Sequence, residues 1–106
     1  MHARVMSGEL SPGELDKFES MIRDDVIPKA SKLDGFAGGY WLADRESGKV
    51  LGITLFESEK ALRESQAQAD TIREEASRAS GLPVPSFRAY EVVASVGGEA
   101  ALKKAA

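Results

Sequence analysis

The stretch FAGGYWLADRESGKVLGITLF, residues 36–56, decides the fold of this chain. It contains two strand-like apolar runs, 36–43 and 49–57, and the residues between them, DRESG, are typical of a short hairpin loop. Three glycines and the single tryptophan interrupt the alternation: Gly38, Gly39, Gly52 and Trp41. Glycine inside a strand marks a bend or the close approach of another group. We therefore expect an antiparallel hairpin in which Trp41 leans over Gly52 across the strands.

A helix-start signal lies upstream of this hairpin. Ser11 is the predicted N-cap, Pro12 the first helical residue, and Glu14 completes a capping box. Apolar residues then recur at intervals of three and four, which predicts one buried helix face: Leu15, Phe18, Ile22 and Val26. Pro28 has no backbone donor, so we expect a kink or break there. Residues 2–9, before the cap, are predicted to form the first strand.

A second helix and a fourth strand are predicted after the hairpin. Ser58 is its expected N-cap and Gly81 its expected end, and the charged residues between 63 and 78 are interpreted as a solvated helix face. Residues 87–94 predict the fourth strand, and 97–106 a flexible or weakly helical tail. The order strand, helix, strand, strand, helix, strand predicts a ferredoxin-like α+β fold. Its four-stranded antiparallel sheet carries both helices on one face, with strands one and three in the centre.

Composition narrows the function classes. The chain has 106 residues and 11.4 kDa, which predicts one domain, residues 1–96. With no Cys and one His, we expect no metal site and no cofactor. A net charge of −3 argues against a nucleic-acid partner, and residues 49–56 lack the aromatic stacking pair of RNA-recognition domains. No membrane partner is expected, because no apolar run could span a bilayer and no secretory signal is visible, so a cytoplasmic location is the expectation.

Strand alternation assigns the side chains to two faces of the sheet. If Asp44 pairs with Lys49, one face is the more continuous apolar surface and is predicted to receive the helices; it carries Tyr40, Leu42, Leu51, Ile53 and Leu55. The other face is predicted to lie open, with Trp41, Thr54, Phe56, Arg4, Met6, Phe87 and Glu91. An open apolar face of this kind needs a cover, and a second copy of the chain is the simplest one. We therefore predict a homodimer.

Several short motifs resemble those of a known group of proteins. They are GF at 35–36, GYW at 39–41, GITLF at 52–56, the FESEKAL entry to the second helix, and Pro28 upstream. In these the chain resembles the antibiotic-biosynthesis-monooxygenase-like group of the dimeric α/β barrel superfamily. The resemblance implies homodimers with a pocket between sheet and helices or at the barrel mouth. It also implies relatives that include cofactor-independent oxygenases of aromatic polyketides and haem-degrading enzymes.

Only some of the functional residues of these relatives have counterparts in this chain. Haem-degrading members use a His from the second helix and an Asn, whereas residues 58–80 contain no His and the chain contains no Asn, so haem degradation is not expected. The aromatic-polyketide oxygenases resemble this chain in fold and rely on Trp, Tyr and Asn around the substrate. Trp41 and Tyr40 match in type, and the Asn is absent.

Two functions remain open on this basis. The first is a homodimeric protein that binds a small aromatic or apolar ligand and acts as a cofactor-independent monooxygenase, with the ligand-binding candidates Trp41, Tyr40, Arg4, Thr54, Glu91 and Phe87. The second is a non-catalytic dimeric barrel whose open sheet face is only an interface. Arg4 and Glu91 are expected to meet, either as a buried ion pair or around a polar ligand group. Tyr90 is expected to face the helices, and His2 to lie in a mobile terminus.

Overall fold

The computed structural model describes residues 1–96 and contains the predicted succession of elements. The strands are β1 (His2–Glu9), β2 (Phe36–Ala43), β3 (Lys49–Phe56) and β4 (Ser86–Glu91). The first helical region comprises a 3₁₀ turn (Pro12–Glu14), α1 (Leu15–Met21), a π-helical turn (Ile22–Val26) and α2 (Ile27–Ala30). The second comprises α3 (Glu59–Glu64) and α4 (Gln66–Ser80). The α+β ferredoxin-like prediction is confirmed.

The four strands form one antiparallel sheet in the order β2-β3-β1-β4. Strands one and three are central, as predicted. The fourth strand begins one residue earlier and ends three residues earlier than the sequence indicated. The predicted tail, 97–106, lies outside the described residues. Within residues 1–96, every helix is too short or too polar to cross a lipid bilayer.

The central hairpin has the predicted register. Trp41 lies opposite Gly52, and the backbone N–H of Asp44 donates to the carbonyl of Lys49 at 2.8 Å. A register shift occurs between Phe36 and Gly38, and Gly38 has a φ of 128°, in the left-handed region that favours glycine. Gly38 therefore allows the irregular start of β2.

The two faces carry the predicted sets of residues, but the prediction of which face the helices cover is wrong. Tyr40 is 44% exposed, and the residues grouped with it also lie on the open face: Leu42, Leu51, Ile53 and Leu55. Thr54 and Phe56, which were assigned to the open face, are buried beneath the helices. Tyr90 also lies exposed on the open face, against expectation, opposite Ala3 of β1.

The reason for this reversal is steric. Helices approach a sheet most closely where the strands carry few bulky side chains, and Gly39 of β2 and Gly52 of β3 lie on the face of Trp41. The prediction relied instead on the number of large apolar residues, which is greater on the opposite face. That face therefore remains exposed in the single chain.

The first helical region begins as predicted. The Ser11 N–H and hydroxyl both donate to the Glu14 carboxylate at 3.0 Å. Leu10 and Leu15, on either side of this turn, are buried in one apolar cluster with Val50 and Leu82. The capping residues and the apolar pair together fix where the chain leaves β1 and enters the helix.

The sequence predicted a kink or a break at Pro28, and the helix is not broken there, because its hydrogen bonding changes just upstream. The Ile27 N–H donates to the carbonyl of Ile22, five residues back, in the π-helical turn. A π-helical turn shifts the pattern of backbone hydrogen bonds by one residue before Pro28. Without this shift, the backbone N–H that proline lacks would interrupt the pattern. The chain then remains helical to Ala30.

The second helical region has the predicted start and stop but is interrupted. The Ser58 hydroxyl accepts from the Ala61 N–H at 3.1 Å, and Gly81 ends α4 with a left-handed φ of 77°. Between them Ser65 separates α3 from α4, and its hydroxyl donates to the Leu62 carbonyl at 2.9 Å. This interruption places the first turn of α4 beside β1, where it meets Arg4.

Candidate ligand-binding site

Trp41 lies on the helix-facing side of β2 and crosses towards β3. A Cβ atom on Gly52 would lie 3.0 Å from Trp41 Nε1, and one on Gly39 would lie 3.2 Å from the far edge of the same ring. These distances are shorter than the usual contact of about 3.5–4.0 Å, so a side chain at either glycine would displace the indole. A Cβ on Gly39 would also lie 2.6 Å from the Ile53 carbonyl oxygen, so Gly39 makes room for the backbone of β3 as well as for Trp41. Gly52 makes room for Trp41 and for Met6.

A cavity of about 260 Å³ opens beside this indole, between the sheet and the helices. Its walls come from β1, β3, the first helical region, α4 and the loop before β4, and they are mainly apolar; they include Met6, Phe18, Met21, Val26 and Leu82. The volume lies just below the usual range of small-molecule sites, about 300–1,000 Å³. Because a cavity of about 150 Å³ holds benzene, this one has room for a ligand of one or two fused rings.

A smaller recess of about 30 Å³ adjoins the cavity under α4. Arg4, Thr54 and Phe56 line it, and Trp41 and Arg73 line both the recess and the cavity. Both spaces are therefore mainly apolar, and the cationic side chains of Arg4 and Arg73 lie against the walls where β1 and α4 meet.

Arg4 is the most buried charged residue of the site, at 2% exposure. Its Nη2 donates to the Leu62 carbonyl at 2.9 Å and to the Gln66 side chain at 3.2 Å, and its guanidinium lies 5.1 Å from the centre of the Phe56 ring. Burial lowers the pKa of Arg4, the positive charge of Arg73 lowers it further, and Asp70 raises it. Among the described residues, no carboxylate forms an ion pair with Arg4.

Arg73 of α4 is the second buried cation, and its side chain is 10% exposed. Its Nη2 is ion-paired with Asp70, and its guanidinium lies 4.3 Å from the centre of the Phe87 ring. Nη1 of Arg73 and Nε of Arg4 are both buried without a hydrogen-bond partner in the described part of the chain. Such buried donors are uncommon, because each one has given up its hydrogen bonds to water.

Arg73 was predicted to lie on a solvated helix face, and that prediction is wrong, because its side chain is only 10% exposed. Arg73 follows Ala69 by four residues and precedes Ala76 by three, and both alanines are buried. This spacing places Arg73 on the buried stripe of α4. Two alanines at these intervals were a signal in the sequence that a long side chain between them could lie against the sheet.

The structure brings together some of the predicted site residues and separates others. Trp41, Arg4 and Thr54 meet at the recess, where the Thr54 hydroxyl donates to the Arg4 carbonyl at 3.4 Å. Phe87 lies beside this group, with its ring against the Arg73 guanidinium. Tyr40 points to the opposite face of the sheet.

The predicted contact between Arg4 and Glu91 is absent. Arg4 lies opposite Ala89 in the register of β1 and β4, and Glu91 is exposed opposite His2 at the end of the sheet. His2 itself lies in β1, against the expectation of a mobile terminus, and its Nε2 is 3.5 Å from the Glu59 carboxylate. In residues 1–96 no three His, Asp or Glu side chains cluster as a metal site.

No family model matches the chain. Two uncharacterised proteins of Mycobacterium tuberculosis H37Rv are 32% and 30% identical to it, over 76 and 94 residues. These stretches cover 72% and 89% of the chain but only 32% and 42% of the relatives. The chain therefore spans about a third and about two fifths of the lengths of these two curated relatives.

Solved structures share the fold over almost the whole chain. A monooxygenase from the ActVA-Orf6 gene of Streptomyces coelicolor, solved with nanaomycin D, has a TM-score of 0.68 and 18% identity, covering 90% of this chain and 89% of that one. The haem degrader MhuD of Mycobacterium tuberculosis, with two haems in its active site, has a TM-score of 0.68 and 22% identity, covering 92% and 100%.

The cofactor-independent oxygenase SnoaB of Streptomyces nogalater has a TM-score of 0.63 and 16% identity, covering 90% of this chain and 93% of that one. At these identities the likeness concerns the fold. The chain has the antibiotic-biosynthesis-monooxygenase-like fold that its sequence motifs indicated.

Proposed function

We propose that this chain binds a small apolar or aromatic molecule in the cavity beside Trp41 and acts on it as a cofactor-independent monooxygenase. The observation that carries the proposal is the mainly apolar cavity of about 260 Å³ between sheet and helices, which has a few polar and charged side chains in its walls. A largely apolar pocket with a few convergent polar groups is the usual form of a small-molecule site. The oxygenases that share the fold give this site its candidate reaction.

In the proposed reaction the protein has two roles, which are to orient the substrate and to stabilise developing charge. An electron-rich substrate, such as a quinol or phenol, supplies the electrons that reduce molecular oxygen, so one oxygen atom enters the substrate and the other leaves as water. The cavity would exclude bulk water and hold the ring in one orientation against Trp41. Buried positive groups would stabilise negative charge that develops on the substrate.

Haem degradation is a weaker candidate, although one structural neighbour is a haem degrader. The single histidine, His2, pairs with Glu59 and does not line the cavity or the recess. The site therefore offers no imidazole as an iron ligand. Its chemistry suits a neutral or anionic organic ligand better than a metalloporphyrin.

We also propose that two copies pair through the open sheet face. This face carries Tyr40, Leu42, Leu51 and Tyr90, all of them large and more than 40% exposed. A contiguous apolar patch on a small soluble chain usually marks an interface, and symmetric homodimers are the commonest assembly. Because the cavity lies on the other side of the sheet, ligand binding and pairing would use different faces.

The test is Trp41 fluorescence, since Trp41 is the only tryptophan and lines the cavity. Quinols and phenols should quench it saturably at about one site per chain, and oxygen uptake should follow for an oxidisable member of the panel. Ala76→Leu, which fills the cavity wall, should abolish quenching. Ala79→Leu is the matched control, because Ala79 is an exposed residue of the same helix.

Three results are distinguishable. Saturable quenching with oxygen uptake supports the monooxygenase. Saturable quenching without oxygen uptake for any compound of the panel would contradict the monooxygenase and support a protein that only binds its ligand. Quenching that is absent, or equal in Ala76→Leu and Ala79→Leu, would contradict the cavity as a site and leave the alternative, a non-catalytic barrel.

A further inference from the structure

Two largely buried guanidinium groups line the recess at one end of the cavity. Arg4 approaches from β1 and Arg73 from α4, and both line the recess. Each guanidinium donates some of its hydrogen bonds to other groups of the protein. Arg4 Nε and Arg73 Nη1, however, are buried and have no hydrogen-bond partner among residues 1–96. Two orphaned donors of like charge at one place are a specific feature that the apolar cavity alone does not require.

The charges at this place do not balance. Asp70 is the one carboxylate paired with either group in the described residues: it accepts from Arg73 Nη2 and from the Gln66 amide at 2.8 Å, and Gln66 in turn accepts from Arg4. Two guanidinium groups and one carboxylate leave one uncompensated positive charge. A buried charge is normally paired, since removal from water is costly.

The pKa of Arg4 agrees with this imbalance. It is lowered mainly by burial and then by Arg73, and the opposing effect of Asp70 comes last. A negative group bound between Arg4 and Arg73 would reverse both effects, because it would favour the charged form of each side chain.

We propose that the ligand of this site is an apolar molecule with a single carboxylate-type anionic group, held at the recess by Arg4 and Arg73 while its ring system occupies the cavity. This inference rests on the proposed binding function and adds the charge of the ligand. The cavity and the recess share Met6, Val26, Trp41 and Arg73, so the two spaces are adjacent. Arginine is well suited to carboxylates because its planar guanidinium presents several donors in fixed directions.

The experiment compares two probes of equal size, 2-naphthoate and 2-naphthamide, by isothermal titration calorimetry. We expect the wild-type protein to bind the naphthoate at least about tenfold more tightly than the amide, the usual effect of one charge-assisted hydrogen bond. Arg73→Gln should remove this preference, so that the variant binds the two probes with equal affinity. Arg73→Lys should keep part of it, because the charge remains.

Arg45→Gln is the matched control, since it removes the same charge from a side chain that is 61% exposed in the hairpin loop. It should leave the preference intact, and high salt should change it little, because a buried pair is weakly screened. Equal affinity of the wild type for both probes would contradict the proposal that the ligand is anionic, but the cavity would remain a binding site for apolar molecules. A preference that survives Arg73→Gln would overturn the assignment to this recess, and binding of neither probe would overturn the site together with its ligand.

Discussion

Nη2 of Arg4 donates a hydrogen bond to the backbone carbonyl of Leu62 at 2.9 Å, which joins the first strand to the end of α3. The same nitrogen lies 3.4 Å from the Ser65 hydroxyl and 3.2 Å from the Gln66 side chain. The interruption between α3 and α4 is therefore organised around a side chain that is 58 positions or more away in sequence. Arg4 thus links the fold to the candidate site.

Arg4→Met should lower the free energy of unfolding by about 1–3 kcal/mol, because buried acceptors around Ser65 lose their donor. Urea denaturation followed by circular dichroism measures the change. Arg45→Met is the control: its exposed contact with Asp16 should contribute no more than about 1 kcal/mol. Equal losses in the two variants would contradict a structural role for Arg4, and this role is why Arg73 is the better position at which to test ligand charge.

Gly52→Ala should destabilise the protein by about 1–3 kcal/mol, the usual cost of adding a methyl group to a tightly packed interior. The new Cβ would lie 2.9 Å from Met6 Cε and 3.0 Å from Trp41 Nε1. The methionine can turn aside, but the indole must shift, so the emission maximum of Trp41 should change. Denaturation and fluorescence spectra measure the two effects.

Gly13→Ala is the control for this substitution. A Cβ on Gly13 meets nothing within 4 Å, so neither stability nor emission should change appreciably. Unchanged emission in Gly52→Ala would show that Trp41 does not rest on that glycine.

The sequence predicted the parts of this fold that local chemistry controls. Ser11 with Glu14 fixes the first helix start, and the loop between Asp44 and Lys49 fixes the hairpin register, since both depend on residues a few positions apart. Once the register is known, the side chains that share a face follow from strand alternation. Trp41 and Thr54 were grouped correctly for this reason.

The remaining features depend on contacts between distant segments. Which face the helices cover was decided by close packing around Gly52, and not by the number of apolar residues near Tyr40. The register of β1 with β4, two strands far apart in sequence, places Arg4 opposite Ala89 rather than near Glu91. Arg73 was missed because charge alone suggests a solvated position, whereas its place on the buried stripe of α4 decides its environment.

Leu51→Asp should convert the proposed homodimer into a monomer. Leu51 is 41% exposed on the open sheet face, and a carboxylate there would be buried without a partner at a symmetric interface. Light scattering coupled to size-exclusion chromatography measures the mass. Val93→Asp is the control, because Val93 is 88% exposed beyond the end of β4 and should leave the mass unchanged. A wild-type monomer would contradict the proposed assembly directly.

Asp44→Asn should make the stability of the protein less dependent on acid pH. Hydrogen bonds from the Glu46 N–H, and then from the side chain and N–H of Ser47, lower the pKa of Asp44 in the hairpin loop. A lowered pKa stabilises the folded state above the ordinary value of about 3.9, and this contribution is lost as the pH falls through the lower, folded-state pKa. Asparagine keeps the acceptor oxygen but not the charge.

Urea midpoints of wild type and Asp44→Asn, measured from neutral to acid pH, provide the test. The variant should be the less stable protein at neutral pH, and the difference should shrink below about pH 4. Asp34→Asn, an exposed position before β2, controls for the loss of one negative charge. A difference that stays constant with pH would assign the effect to the shape of the amide and not to the charge that the loop stabilises.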